Sequence, residues 1–272
     1  MTDVGVLRIA RKDVMDAVRG RQAHLLVALF GLFGAFFGYV TGRSVGEDLP
    51  SLLVFLVPLA GIALAQHAIV GKRESGELAV LLGLPFSRRD VVAGTYLGRI
   101  SVVVAAVASA YAGAIPVGII SGASPDVGAI GSGSVILVVV GAVFASIALG
   151  ISTAVESTTT ASAGAFVSYL GLVLPAWQNL PDAVLYAANG FESPGAMPEW
   201  ATAFDQFAPF IALRNAVGPV AGDLVSGLSP VPGAVPPDPP VYMQPWFGAA
   251  VLIGWIVVPV AIGYRRFERS DL

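Results

Sequence analysis

Apolar residues in this chain come in long unbroken runs, and polar residues gather between them. Six runs approach the roughly 20 mostly apolar residues that a bilayer-crossing helix needs. They cover about 24–41, 52–71, 100–120, 135–155, 161–177 and 246–264, and none contains Asp, Glu, Lys or Arg. In lipid every backbone polar group must be paired inside the chain, which leaves helix as the open-chain solution. A barrel would need alternation at period two, and these runs are continuous. Ahead of the first run, Leu7, Ala10, Val14 and Val18 recur at spacings of three and four, with Arg8, Lys12 and Arg19 mainly off that stripe. This predicts an amphipathic helix lying in the membrane interface over 1–22. A solvated juxtamembrane anchor is the plainer alternative. The basic region is too long for the head of a cleaved signal, and no A-x-A site follows the first run. The expected fold class is therefore an all-α membrane protein with six transmembrane helices and an N-terminal interfacial helix, forming one domain over 1–272.

Composition agrees. Charged residues are 12% and hydrophobic residues 56%, against about 25% and 45–50% in soluble domains. Mean hydropathy is +0.79. These values exclude an ordinary soluble enzyme and a disordered chain. A net charge of −3 supplies no global field for polyanions, so no nucleic-acid partner is expected. Cysteine is absent, which removes disulfides, thiolate nucleophiles and iron–sulfur sites.

Charge fixes the expected orientation. Thirteen of the 15 Lys and Arg residues fall before the first run, between the second and third, or after the sixth; only Arg43 and Arg214 fall on the other side. The positive-inside rule then places both termini in the cytoplasm of a multi-pass plasma-membrane protein. Two loops are long. The inner one covers 72–99. The outer one, 178–245, carries six acids against Arg214 and a Pro-rich run, 230–240, expected to be extended. Its apolar stretches, 183–188 and 204–217, are too short to span. They suit short helices dipping into the outer leaflet, or a small cap. The Gly/Ser-rich 121–134 reads as a connector.

Site chemistry is sparse. The histidines are His24 and His67, with no HExxH, acid pair or Cys/His cluster, so no metal site is expected. His67 suits an interhelical hydrogen bond better than a ligand. The Gly131-Ser132-Gly133-Ser134 run lacks a basic partner for a serine nucleophile and reads as a flexible turn. Without intramembrane acids a proton relay has no groups to use. No phosphate-binding loop is present either, so nucleotide energy would have to come from another chain. Gly34, Gly38 and Gly42 recur every fourth residue, as do Ala106, Ala110, Ala114 and Gly118. Such faces let helices approach closely, first of all within the chain and secondarily in a dimer. Pro58, Pro116 and Pro259 should kink their helices.

The inner loop is the informative segment. Residues 77–84 predict a short helix with Leu78, Leu81 and Leu82 on one face, ended before Pro85. Ser87 with Asp90 three residues on predicts a capping box opening the next helix. Glu74, Glu77, Arg88 and Arg89 should point to the cytoplasm. A topogenic basic loop is the plain alternative.

The pattern E-x-G-x-L-x-x-L-L-x-x-P-x-S-R-x-D-x-V-x-G, from Glu74 to Gly94, resembles the first cytoplasmic loop of ABC-2 type transporter permeases. It is closest to the branch with the nitrous-oxide-reductase maturation permeases. Lys12-Asp13, Arg19 and the ending Arg266-Phe267-Glu268-Arg269-Ser270-Asp271-Leu272 resemble that branch too. The family often carries Lys after the motif's last Gly, where this chain has Thr95. The resemblance implies a permease subunit of an ATP-driven exporter, with no catalytic residue or cofactor of its own. ATP and magnesium would be bound by a cytoplasmic ABC ATPase dimer, and a second permease copy or homologue would complete the complex in the bilayer. It implies ATPase contact at Glu74, Glu77, Arg88 and Asp90, and loop structure from Gly76, Pro85 and Ser87. For Arg89 and Arg99, orientation by positive charge is the favoured role. The competing classes are an ATP-independent secondary transporter or channel, disfavoured by the uncharged spans, and a non-transporting membrane assembly factor. An intramembrane enzyme ranks last.

Overall fold

The computed structural model describes residues 2–41, 45–174, 176–193, 195, 197–225 and 238–269. Among them every regular element is helical. Arg43, most of the Pro-rich run (230–237) and the terminal Ser270, Asp271 and Leu272 lie outside the described residues.

Helix α1 (Thr2–Arg19) ends at Gly20, and Arg21 takes a left-handed conformation (φ 63°) that turns the chain into α2 (Gln22–Thr41). The stripe read from the sequence faces outward: Leu7 and Val18 are exposed, Ala10 and Val14 half-buried. A second face, Ile9, Asp13 and Ala17, is buried. It lies on the first turns of α7 (Arg88–Ile120), where Gly94 and Gly98 leave room; a Cβ on Gly98 would stand 2.9 Å from that of Asp13.

Helices α2 and α7 meet along the two small-residue stripes. A Cβ on Gly34 or Gly38 would collide with the carbonyls of Ala110 and Ala114, and one on Gly113 with that of Gly31. The stripes are thus an internal packing face, as their spacing suggested, with Gly42 outside the described residues. Ser109 adds a hydrogen bond to the Val27 carbonyl at 2.7 Å.

At the centre stands α8 (Val127–Ala154), buried from Ile136 to Thr153 at most positions. Its start corrects the sequence reading of 121–134 as a connector with a flexible Gly-Ser turn. Asp126 caps the helix by accepting from the Gly128 and Ala129 amides. Ser132 and Ser134 return their hydroxyls to the Gly128 and Ile130 carbonyls, so the run is satisfied as helix.

The second apolar run is not one helix. It is divided among α3 (Val45–Leu53), α4 (Leu56–Ala65) and α5 (Val70–Glu74). Pro58 has no N–H for the Val54 carbonyl and its ring crowds that carbonyl, which is where the first break falls. At the second break, Ser152 of α8 accepts from the Ile69 and Val70 amides at 3.1 and 3.2 Å. His67 meets Ser162 at 2.7 Å, the interhelical bond expected of it. By contrast α7 runs on through Pro116, and α13 (Pro245–Arg269) through Pro259.

Among the described residues, four helices are long and apolar enough to cross a bilayer: those within α2, α7, α8 and α13. A fifth results if α9 (Thr158–Val173) and α10 (Ala176–Ala188), bent by 76° to one another, count as one span.

The 178–245 region contributes α11 (Glu199–Asp205) and α12 (Pro209–Val225). Helix α12 packs on α13 and α8, and the Phe210 ring lies 6.0 Å from Phe144. Burial, and then the neighbouring Asp182 carboxylate, lift Asp205 from 3.8 to about 6. The folded state therefore keeps a proton that the unfolded chain releases near pH 3.8, and stability falls as pH rises from about 4 to 6. Asp205→Asn should remove that slope and raise the thermal midpoint at pH 7.5 more than at pH 4.5. Equal shifts at the two values would refute the assignment.

Candidate coupling site

The site is a hairpin built from α5, α6 (Glu77–Gly83) and the start of α7. Gly76 joins α5 to α6 at φ 75°, a left-handed position that favours glycine. Leu78 and Leu81 are buried and Leu82 is half-buried, giving α6 the face its spacing predicted. Leu84 is extended ahead of Pro85 (φ −87°, ψ 166°), and the helix stops there. Ser87 and Asp90 form the expected capping box: the Ser87 Oγ accepts from the Asp90 amide at 3.1 Å, and Asp90 Oδ2 accepts from the Ser87 amide at 2.9 Å. Asp90 is buried, covered by α1 at Gly5.

The charged residues grip neighbouring elements. Glu74 accepts from the Thr158 amide at 2.8 Å, at the N-terminus of α9. Glu77 accepts from Lys12 of α1 at 2.6 Å, and Lys12 also meets Asp16 at 2.7 Å. Arg88 donates to the Phe267 carbonyl near the end of α13, and its guanidinium lies 4.8 Å from the Phe267 ring centroid. Arg73 approaches the same buried ring at 5.6 Å and donates to the Val155 carbonyl at 3.1 Å. The hairpin is thereby tied to α1, α8, α9 and α13. Val80, 69% exposed, and Leu84, 50%, stand outward on it, and Glu74, Pro85, Ser87 and Arg89 are exposed too.

One cluster was missed by sequence reasoning. Asp13, 2% exposed, pairs with Lys72 at 3.1 Å and with Arg99 at 2.9 Å. Lys72 also donates to the Thr95 hydroxyl at 3.1 Å. A cation therefore does lie against position 95, supplied by Lys72. The available signal was an acid in the buried register Ile9–Asp13–Ala17. Arg99, read as a topogenic charge, is part of this ion cluster.

The profile of the ABC-2 family transporter proteins matches residues 7–272. The chain belongs to the ABC-2 transporter family. Two curated relatives are each named probable ABC transporter permease protein NosY. The one from Pseudomonas aeruginosa is 38% identical over 104 residues, 34% of this chain and 38% of its own length. The one from Stutzerimonas stutzeri is 31% identical over 113 residues, 38% of this chain and 41% of its own. The matched stretch thus spans about two fifths of each relative. Family membership and the apolar helices together make this ABC-2 chain a multi-pass membrane protein.

Proposed function

We propose that this chain is the permease subunit of an ATP-driven exporter, powered by a separate cytoplasmic ABC ATPase dimer and paired with a second permease. In this reading it crosses the plasma membrane six times with both termini inside. The broken run α3–α4–α5 is then the second crossing, and α9 with α10 the fifth. The 13-to-2 bias of basic residues supports that orientation. The exposed Leu7–Val18 face of α1 suits a helix lying on the inner leaflet.

The observation that carries the proposal is the clamped hairpin. A lever must be rigid toward what it moves and open toward what drives it. Glu74, Arg73, Arg88 and Glu77 bond the hairpin to four helices, while Val80, Leu84 and Arg89 stay outward. The ATPase seats on that tip, with Glu74 and Glu77 at its rim adding charge-assisted hydrogen bonds. Asp90, Ser87, Gly76 and Pro85 hold the shape, and Arg88 passes the push to α13.

The test uses the permease–ATPase complex in proteoliposomes. Val80→Asp puts a charge on the apolar tip while leaving every internal bond in place, and should abolish co-purification. Glu77→Ala with Arg88→Ala should keep the complex but lower permease-stimulated ATP hydrolysis about tenfold, through two lost charge-assisted bonds. Full transport by the chain without any ATPase would overturn the proposal.

A further inference from the structure

An open groove of about 950 Å³ runs between α8 and α13 and is walled by Ser168 of α9, Trp177 of α10, and Phe204 and Phe207 where α11 gives way to α12. That is at the upper end of the roughly 300–1,000 Å³ usual for small-molecule sites. Its floor is a line of close backbone contact. A Cβ on Gly150 would collide with the Pro259 carbonyl, and one on Gly263 with the Gly150 carbonyl. Gly254 lies further along, and a Cβ there would meet nothing within 4 Å.

The two ends differ in chemistry. One end closes on aromatic rings: Trp177 stacks on Phe204 at 4.6 Å and meets Trp255 edge-on at 6.1 Å. Both indole N–H groups are already spent, on the Phe204 and Phe207 carbonyls. The other end holds Arg266, exposed and without a hydrogen-bond or ion-pair partner among the described residues. Arg265 and Arg269 are its neighbours in sequence, so among the described residues basic side chains outnumber the one acid there, Glu268, which accepts from Tyr264. Between the ends the lining is almost wholly apolar; the Ser168 hydroxyl is bonded to the Gly164 carbonyl. About 17 Å of helix, at about 1.5 Å per residue, separates Arg266 from Trp255. One leaflet contributes about half of a hydrocarbon core roughly 30 Å thick. A single acyl chain anchored by an anionic head therefore fits the distance from charge to stop.

We infer that this groove holds one anionic membrane phospholipid, its phosphate on Arg266 and one acyl chain lying along α13 as far as the Trp177–Trp255 pair. The inference uses the membrane setting of the proposed function but not the ATPase, so its failure leaves the coupling reading intact.

The test is tryptophan quenching in phosphatidylcholine nanodiscs, with Trp200→Phe and Trp246→Phe so that Trp177 and Trp255 report. A minority lipid brominated in mid-chain is either phosphatidylglycerol or phosphatidylcholine. The anionic lipid should reach half-quenching at about fivefold lower mole fraction, as one arginine contact warrants. Arg266→Gln should erase that preference, and Gly254→Leu should lower quenching by both lipids. Equal quenching by the two lipids, or a preference that survives Arg266→Gln, overturns the proposal. So does efficient disulfide formation between two copies carrying Gly254→Cys in this cysteine-free chain, since a second copy would then fill the groove.

Discussion

Asp13→Ala should lower stability by about 3–5 kcal/mol, the usual cost of removing one member of a buried ion cluster. Asp13 is the anion between Lys72 and Arg99, whose side chains are 11% and 12% exposed. Without it two nearly buried cations face each other and a void. The loss should show first at α1, because Asp13 sits at the middle of its buried face. Thermal unfolding in detergent should shift down, and protease should cut within the first 20 residues of the variant under conditions that spare the parent. The contrast is the triple variant Asp13→Leu, Lys72→Met, Arg99→Met. Replacing a whole buried cluster by apolar side chains is often neutral or stabilising, so this variant should recover most of the loss. If the single change leaves stability and protease sensitivity untouched, the cluster does not hold α1.

Gly34→Leu should be of comparable size by a different route. The Cβ alone would collide with the Ala110 backbone, which cannot swing aside as a side chain could. The two helices must separate, at a cost of about 1–3 kcal/mol or more for overpacking. Close small-residue packing, which drives association where lipid is as apolar as the helices, is lost with it. The yield of folded, monodisperse protein should fall steeply. Gly131→Ala is the control: its Cβ meets nothing within 4 Å, and alanine in place of helical glycine should stabilise by about 0.5–1 kcal/mol. Equal behaviour of the two variants would mean that α2 and α7 do not meet along these glycines.

How much was legible follows from the range over which each signal acts. The Ser87–Asp90 cap, the end of α6 at Pro85 and the small-residue stripes are local or periodic, and the structure repeats them. The outward stripe of α1 was legible for the same reason. Its inward face was not, because Asp13 interrupts it and hydropathy counts an acid as a surface residue. The break in the second run was only half legible. Pro58 marks the first interruption, but nothing near His67 says that a serine more than eighty residues later will satisfy the amides there. The hairpin's charges were read as pointing outward, and Glu74 and Arg89 are exposed; the pairing of Glu74 with the Thr158 amide leaves no mark in a window of ten residues. Family resemblance pointed to the hairpin, and the structure adds the exposed Val80 and Leu84 to its outer surface.

The Ser152 bonds bear on how the chain is made. The Ile69 and Val70 amides are fully buried, and their acceptor is not synthesised until α8 emerges. Until then those amides lack this partner and must be paired in another way, since an unpaired amide is costly in hydrocarbon. In the proposed topology the second crossing therefore reaches its final bonding only after α8 has been made.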